Sequence, residues 1–275
     1  MLLLTGATGR VGSALLSRLT ARGDAVRCLV RDPRRLGAAR VRVQIALGDL
    51  ADPASFRHAL RGVGTVVHLA GAWRDQAAAG VEELNGLATW RLLRAAERAG
   101  VERCVFISPL GAAPQHALRV LRAKALAERA VQDAAMSTVT FRSSAIYVPG
   151  ESQLRLLAGA GDARIHPICA SDVAACVLAV LDDTAGDHRT YELAGPEDLT
   201  WRRFATLTAG RRVPAVPPAI LRPALRAYEA LTGPAALLTW DEAARATASM
   251  TTPRGTTDAL ALGVRPRAAG DLLRT

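Results

Sequence analysis

Three glycines spaced three residues apart follow the first apolar run of the chain. The segment reads Thr5-Gly6-Ala7-Thr8-Gly9-Arg10-Val11-Gly12, and it joins Met1–Thr5, a predicted buried strand, to Val11–Leu19, whose apolar residues have helical spacing. Such glycines let the chain turn sharply, let its backbone approach a pyrophosphate and let the helix pack on the sheet, with its first N–H groups facing the phosphates. Because the loop lies between a strand and a helix, dinucleotide binding is favoured over a tight turn with only a structural role.

Arginine residues at the end of the second predicted strand point to the kind of dinucleotide. Ala25–Val30 is followed by Arg31, at the place where the adenosine ribose lies in dinucleotide-binding folds. An acidic residue there favours NAD, whereas arginine favours the 2′-phosphate of NADP. Arg10 and Arg34 are within reach of the same phosphate, and Asp32 comes one residue too late and is expected to point away. We therefore predict NADP(H), with NAD(H) less favoured and ordinary surface arginine as the alternative explanation.

These residues require a scaffold of alternating strands and helices. Short apolar runs alternate with longer amphipathic segments in the first half, which predicts repeated βαβ units and a parallel sheet covered on both faces. The predicted fold is α/β: a Rossmann-type doubly wound parallel sheet with a small, mostly helical C-terminal substrate lobe or lid. Residues 1–150 are predicted to form the NADP-binding core, and residues 151–275 the lobe and lid, with some strands returning to the core. The predicted strands are Met1–Thr5, Ala25–Val30, Val41–Leu47, Thr65–Ala70, Arg103–Ser108, Thr138–Arg142 and Arg189–Ala194.

Composition narrows the class of partner. The net charge is +10, but 34 of the 35 basic residues are arginine and they are scattered, so a solvated surface is favoured over a nucleic-acid-binding face. No apolar run approaches the ~18 residues that a membrane span needs, and the N-terminus lacks the features of a signal peptide. The four cysteines form no CxxC pair and the five histidines have no metal-ligand spacing. We expect a cytoplasmic protein with reduced thiols, no metal, and no nucleic-acid or membrane partner.

Several motifs together resemble the short-chain dehydrogenase/reductase superfamily, in its atypical and extended branch, which includes NmrA-like proteins and relatives of the complex I 39-kDa subunit. The resemblance covers most of the chain. It implies that Asp49 and Leu50 contact adenine, that Ala70 and Gly71 flank the adenine ribose, and that Ser144 lies beside the nicotinamide. The segments that carry it are Thr5–Gly12, Gly48–Leu50, His68–Gly71, Leu84–Ala96, Val101–Ser108, Phe141–Tyr147 and Tyr191–Trp201.

The same resemblance assigns catalytic positions. The superfamily uses Asn, Ser or Thr, Tyr and Lys, with the last two spaced YxxxK. Lys124 and Asn85 occupy the Lys and Asn positions, and each is the single residue of its type in the chain. In the family this lysine holds the nicotinamide ribose and lowers the pKa of the acid. The tyrosine position holds Val120, which has no proton to give, and Ser108 lies earlier than the usual catalytic Ser or Thr.

Removal of a positioned general acid typically lowers a rate ~10²–10⁴-fold, so an enzyme of this kind needs another proton source. One source is the substrate itself, for example a phenol hydrogen-bonded to the ketone. Water is another. Side-chain candidates are Ser108, Gln115, His116, Ser144 and Tyr147. The apolar, proline-containing stretch Arg211–Trp240 is predicted to be either a packed helical cap or a lid over a hydrophobic substrate, with aromatic walls from Trp73, Tyr147 and Trp240.

The resulting hypothesis is an NADPH-dependent ketoreductase for a bulky, aromatic, polyketide-like ketone. Angucyclinone ketoreductases that act on simocyclinone-type substrates are one niche of this kind, suggested by analogy. One alternative is a non-catalytic NADP(H)-binding redox sensor or assembly factor. A second alternative is a non-redox isomerase or dehydratase on the same scaffold. The expected partner is a small apolar molecule, and the expected assembly is a monomer or a homodimer.

Overall fold

All seven predicted strands lie in one parallel sheet. The computed structural model describes residues 1–77, 79–151, 161–183, 188–210, 216, 218–233 and 236–273. The order across the sheet is β10-β6-β5-β4-β1-β2-β3, so the chain reverses its direction of winding after β3. The predicted α/β doubly wound fold is confirmed. The strands of this sheet are β1 (Leu2–Thr5), β2 (Val26–Val30), β3 (Gln44–Leu47), β4 (Thr65–His68), β5 (Arg103–Pro109), β6 (Ser137–Ser143) and β10 (Arg189–Leu193).

Helices cover both faces of the sheet because successive strand residues point to opposite sides. In β1, Leu4 packs in the cluster that contains α1 and α5, whereas Leu3 packs in the cluster that contains α3 and α4. The helices are α1 (Arg10–Arg22), α2 (Pro53–Phe56), α3 (Ala88–Arg98), α4 (Arg119–Gln132), α5 (Ala170–Asp182), α6 (Trp201–Ala209), α7 (Pro218–Thr232), α8 (Trp240–Ala244), α9 (Thr257–Ala261) and α10 (Ala269–Leu273).

Several element boundaries differ from the sequence prediction. The predicted helix Val81–Ala99 contains a π-turn, Glu83–Leu87, before α3. Residues 41–43 precede β3, because a 3₁₀ segment that includes Gly37 at φ 57° occupies Pro33–Val41. The predicted helix Trp240–Ser249 is α8 followed by the 3₁₀ turn Arg245–Thr247.

The chain after residue 150 contributes to the core as well as to a lobe. Helix α5 packs on α1, and β10 pairs with β6 in the main sheet. The rest of this part forms a third apolar cluster, around Trp201 and Phe204. It includes two short pairs of strands: β7 (Ile146–Tyr147) with β9 (Ile168–Cys169), and β8 (Arg164–Ile165) with β11 (Leu199–Thr200). Among the described helices, none is long and apolar enough to cross a membrane.

Candidate active site

A cleft of about 470 Å³ opens at the carboxyl ends of the central strands. Ligands of open α/β sheets bind at this edge, where the strand order reverses. The cleft brings together nine residues expected from the sequence to bind the cofactor: Thr5, Gly6, Thr8, Gly9, Arg31, Asp49, Leu50, Ala70 and Gly71. The other lining residues are Ala7, Leu29, Val30, Asp32, Arg35, Gly48, Leu69, Ala72, Gln76 and Leu84.

The glycine loop needs its glycines for close backbone approach. Gly6 has φ +73°, and a Cβ there would lie 2.6 Å from the backbone N of Ala70. A Cβ on Gly12 would lie 2.0 Å from the carbonyl oxygen of Gly6. Gly12 and Val11 are buried, so they build the loop rather than line the cleft. Helix α1 begins without a side-chain cap at Gly9, which leaves its first N–H groups for an anion. This cradle fits a dinucleotide pyrophosphate.

The adenosine end of the cleft carries a pair of arginines. Arg31 donates a hydrogen bond of 2.6 Å to Gln76 and lies 3.9 Å from the Asp49 carboxylate. Arg35, which the sequence reasoning missed, also lines the cleft. Asp32 does not point away as expected: it lines the cleft, and its carboxylate accepts a hydrogen bond from the backbone N–H of Arg34.

Arg10 is the exception among the expected phosphate-binding arginines. Its guanidinium donates hydrogen bonds of 2.6 and 2.8 Å to Glu151. With Thr8 and Gly9, this pair lines a separate depression beside the start of α1. Arg10 therefore joins the glycine loop to the segment after Tyr147, and its contact with the cofactor stays a prediction.

Asn85 fixes the chain that follows β4. Its Nδ2 donates to the carbonyl oxygens of Ala72 (2.8 Å) and Val81 (2.9 Å), and its Oδ1 accepts from the N–H of Ala72 (3.2 Å). The π-turn turns this side chain toward Gly71, where a Cβ would lie 2.8 Å from Asn85 Oδ1 and 3.2 Å from Lys124 Nζ. The two singleton residues therefore meet at one cleft residue, although neither lines the cleft. Asn85 acts on the cofactor side through the backbone it holds.

Lys124 is a buried cation without a direct carboxylate partner among the described residues. Its Nζ donates to the carbonyl oxygen of Ile107 (3.1 Å) and lies 4.7 Å from the centre of the Phe106 ring. Burial lowers the pKa of Lys124 to about 8, against the opposing charge of Glu128 one turn along α4. Glu128 itself pairs with Arg142 at 2.6 Å. Lys124 can thus exist in both protonation states near neutral pH.

His68 connects the glycine loop to the Asn85 turn. Thr89 donates its hydroxyl proton to the carbonyl oxygen of Asn85 (2.7 Å), so its oxygen must accept from His68 Nε2 (3.0 Å). His68 Nδ1 then accepts from the hydroxyl of Thr5 (2.7 Å). Burial and the charge of Lys124 lower the pKa of His68 to about 3, which keeps the ring neutral. His68 is therefore a structural residue that links these two parts of the chain.

Comparison with known proteins identifies the family. The model of a family described as NAD(P)H-binding matches residues 6–184. The chain belongs to this NAD(P)H-binding family. It is 32% identical over 210 residues to (4-alkanoyl-5-oxo-2,5-dihydrofuran-3-yl)methyl phosphate reductase of Streptomyces griseus, covering 74% of this chain and 70% of the relative. It is 28% identical over 228 residues to the NAD(P)H azoreductase of Xenophilus azovorans, covering 78% and 75%.

A solved structure agrees on the fold. The NADPH-dependent quinone oxidoreductase QOR2 of Escherichia coli, complexed with NADPH, has a TM-score of 0.74 at 20% identity, over 100% of this chain and 99% of that one. The expected NAD(P)H cofactor and the expected class, an NAD(P)H-dependent oxidoreductase, are confirmed. These comparisons do not show that the substrate is a polyketide-like ketone.

In this member of the NAD(P)H-binding family, the side-chain candidates for the missing acid lie in unsuitable places. Val120 is buried on α4, and the buried Ser108 hydroxyl has no hydrogen-bond partner among the described residues. His116 Nδ1 accepts from the N–H of Leu118, and burial with the charge of Arg122 lowers its pKa. None of these residues lines the cleft.

Two further expectations need correction. Tyr147 is completely buried, packs edge-on against Phe204 with ring centres 5.4 Å apart, and has a pKa raised by burial. It is a core residue here, not an acid or a substrate wall. Ser144 is also buried: it donates to the carbonyl oxygen of Met250 (2.6 Å) and accepts from the N–H of His166 (3.0 Å). Its placement is structural rather than beside a nicotinamide.

The other predicted aromatic walls each contact an arginine. Trp240 lies under Arg222, with 5.8 Å between the guanidinium carbon and the ring centre. Trp73 lies 4.9 Å from Arg245 by the same measure, and Arg245 also lies 5.6 Å from Trp201. Sequence reasoning missed Arg245, which no local motif marks, and it used Trp201 only as the end of the segment Tyr191–Trp201 that carries the resemblance.

Proposed function

We propose that the protein reduces a ketone on a bulky, aromatic, polyketide-like molecule, with hydride from NADPH and a proton from the substrate's own hydroxyl or from water. One observation carries the proposal. The single lysine of the chain, Lys124, is buried against Gly71 at the cleft, while Val120 occupies the position of the superfamily's tyrosine. A surface role would be served by arginine, as it is elsewhere in this chain.

The cofactor would be held from its two ends. The glycine loop and the start of α1 would take the pyrophosphate, and Arg31 with Arg35 would take the 2′-phosphate, which supports NADPH over NADH. NADPH, when bound, supplies the hydride. Gly71 and Ala72, which Asn85 fixes, would border the dinucleotide between these two ends.

Lys124 would act as an electrostatic group. The carbonyl carbon gains the hydride and its two electrons, and the carbonyl oxygen becomes an alkoxide. A positive charge in a site with little water stabilises such an oxyanion strongly. The alkoxide then takes the proton of a neighbouring substrate phenol, and water reprotonates the phenolate. This order requires no protein acid, which agrees with the buried placement of Ser108 and Tyr147.

The partner is proposed to be a small molecule of largely apolar surface, with no nucleic acid involved, and the assembly a monomer or homodimer. The reductase names of the two relatives support a redox reaction over isomerisation or dehydration. The phosphate ester in the name of the Streptomyces griseus relative supports a substrate that also carries an acidic group.

The test compares ketones that differ in one hydroxyl. Oxidation of NADPH is followed with ortho-hydroxyaryl ketones and with their ortho-methoxy counterparts, for the wild type and for Lys124→Ala. We expect the hydroxyaryl ketones to react faster by at least about tenfold, since a positioned acid contributes ~10²–10⁴. We expect the variant to be inactive.

Equal rates for the two sets would leave water as the proton source and reject assistance by the substrate. No NADPH oxidation with either set, alongside tight NADPH binding, would reject the proposed reductase function. A reaction that consumes the ketone without consuming NADPH would instead indicate isomerisation or dehydration.

A further inference from the structure

Arg245 is a cation enclosed by two tryptophan rings. It is the first residue of the 3₁₀ turn after α8, and its guanidinium carbon lies 4.9 Å from the ring centre of Trp73 and 5.6 Å from that of Trp201. Trp201 is fixed in turn, because its indole N–H donates to the carbonyl oxygen of Ala248 at 3.1 Å. The rings cover the faces of the guanidinium plane and leave its N–H edges for other partners.

Those edges have no protein partner within the described residues. The side chain of Arg245 forms no hydrogen bond or ion pair there, and its Nε is buried and unpartnered. Arginine carries five N–H donors, and a desolvated charge without partners is strongly destabilising. Burial, with the nearby charge of Arg10, lowers the pKa of Arg245 to about 10. The half-buried side chain thus has a buried, unpartnered Nε–H, a donor suited to an anionic ligand.

Arg119, unlike Arg245, is fully paired with carboxylates. Arg119, on the adjacent edge of α4, is paired with three carboxylates: Asp75 (3.0 Å), Glu82 (2.7 Å) and Asp241 (3.1 Å). Arg119 thus joins the loop that contains Asp75 to the C-terminal lobe, and carboxylates neutralise its charge. Such an arrangement is absent at Arg245, within the part of the chain that the structure describes.

The two carboxylates whose charge acts on Arg245, Glu242 and Glu151, are bound to other groups. Glu242 caps α8, where its carboxylate accepts from the N–H of Thr239 at 3.0 Å, and it lies 3.8 Å from Arg74. Glu151 accepts both hydrogen bonds of Arg10. Both charges raise the pKa of Arg245, yet neither carboxylate forms a hydrogen bond or ion pair with it within the described part of the chain.

The position of Arg245 relates it to the reacting end of the cleft. Trp73 comes two residues after Gly71, which lines the cleft and contacts Lys124 and Asn85. Arg10, whose charge acts on Arg245, begins α1 at the phosphate loop. Arg245, a residue of the helical lobe, therefore contacts through Trp73 the segment that carries the cleft residue Gly71.

We propose that Arg245, between Trp73 and Trp201, binds an anionic group of the substrate, a carboxylate or a phosphate monoester. The proposal rests on the proposed function and narrows its substrate to an aromatic ketone with an acidic substituent. A guanidinium edge matches both groups through two parallel hydrogen bonds. The cofactor pyrophosphate offers the same chemistry, but the N-terminus of α1 and the glycine loop already provide donors for it.

The experiment measures binding without turnover. The NADPH-saturated protein is titrated with benzoate and with benzamide, its neutral isostere, and tryptophan fluorescence reports the complex. The variant is Arg245→Met, which keeps an apolar chain between the two rings. The matched control is Arg222→Met, because Arg222 also lies over a tryptophan but is exposed on α7.

We expect the wild type and Arg222→Met to bind benzoate at least about tenfold more tightly than benzamide. Arg245→Met should lose this preference and keep its affinity for NADPH. Inorganic phosphate should displace benzoate from the wild type, a result that does not depend on how well the variant folds.

Three outcomes overturn the proposal: no saturable binding of benzoate by the wild type, equal affinity for benzoate and benzamide, or an unchanged preference in Arg245→Met. A loss of NADPH affinity in Arg245→Met would assign the arginine to the cofactor instead. Failure of the reductase function is a separate result, since it would appear as absent NADPH oxidation by the wild type whatever benzoate does.

Discussion

Replacement of Lys124 by methionine should stabilise the protein at neutral pH while it abolishes activity. Burial lowers the lysine pKa from 10.5 to about 8, and at ~1.36 kcal/mol per pKa unit its charge therefore destabilises the fold at pH 7 by about 3 kcal/mol. Methionine removes this charge but also removes the hydrogen bond to Ile107, worth about 1 kcal/mol. The net expectation at pH 7 is a gain of about 2 kcal/mol.

The sign of the pH dependence follows from the direction of the shift. Between about pH 8 and 10.5 the unfolded wild type binds the lysine proton that the folded protein has released, so wild-type stability rises with pH in this window. The advantage of Lys124→Met should therefore shrink above pH 8. It should become a deficit of about 1 kcal/mol near pH 10.5, where only the lost hydrogen bond remains.

Urea unfolding of both proteins from pH 7 to pH 10.5, without cofactor, gives this difference directly. Buried thiols complicate the separate curves: burial raises the pKa of Cys28, Cys104 and Cys176 to about 12, which lowers stability as the pH rises above about 9. The thiols are common to both proteins, so the difference curve isolates Lys124. A difference that is constant with pH, or a variant less stable at pH 7, would refute the reasoning.

Three further predictions concern the cofactor cleft. Arg31→Ala should raise the Kd for NADPH by about tenfold or more and leave that for NADH within about twofold, in fluorescence titrations; the same losses in Arg34→Ala would reject a specific role. Gly12→Ala should abolish folding as judged by circular dichroism, because its Cβ would lie 2.0 Å from a loop carbonyl oxygen. Gly64→Ala, whose Cβ would have no neighbour within 4 Å, is the control, and equal stability of the two would contradict the model of the loop. Asn85→Asp sets a carboxylate against two carbonyl oxygens and should lower the free energy of unfolding by about 2–4 kcal/mol; a change within about 0.5 kcal/mol in urea unfolding would count against it.

The parts of the fold that depend on local sequence were predictable. Apolar runs bounded by polar or glycine residues predicted all seven strands of the sheet, since the central strands are covered on both faces. The loop from Thr5 to Gly12 predicted the cofactor cleft. Its glycines are required by close contacts within the loop itself or with the residues that follow β4. Lys124 and Asn85 could be singled out because each is the single residue of its type in a chain otherwise rich in arginine. In the structure the two residues meet beside Gly71.

Long-range packing limited the rest. Tyr147 has the chemistry of an acid, but its burial depends on Phe204, more than fifty residues further along the chain. Arg10 suits a phosphate, yet its partner Glu151 lies beyond the sixth strand. Arg245 is one of 34 arginines, and it is distinguished by its contacts with both Trp73 and Trp201. None of these pairings leaves a periodic or local signal in the sequence.

Two cations of this protein are desolvated without a direct carboxylate partner among the described residues, and they flank the same region. Lys124 lies behind Gly71, and Arg245 lies beyond Trp73, two residues further along the same segment. Burial lowers the pKa of both. Each destabilises the fold in isolation, and unpaired buried charges of this kind are concentrated at functional sites. If a ketone oxygen gains negative charge near Lys124 while an acidic substituent is held at Arg245, one substrate satisfies both cations, and its orientation is fixed by two charges rather than by shape alone.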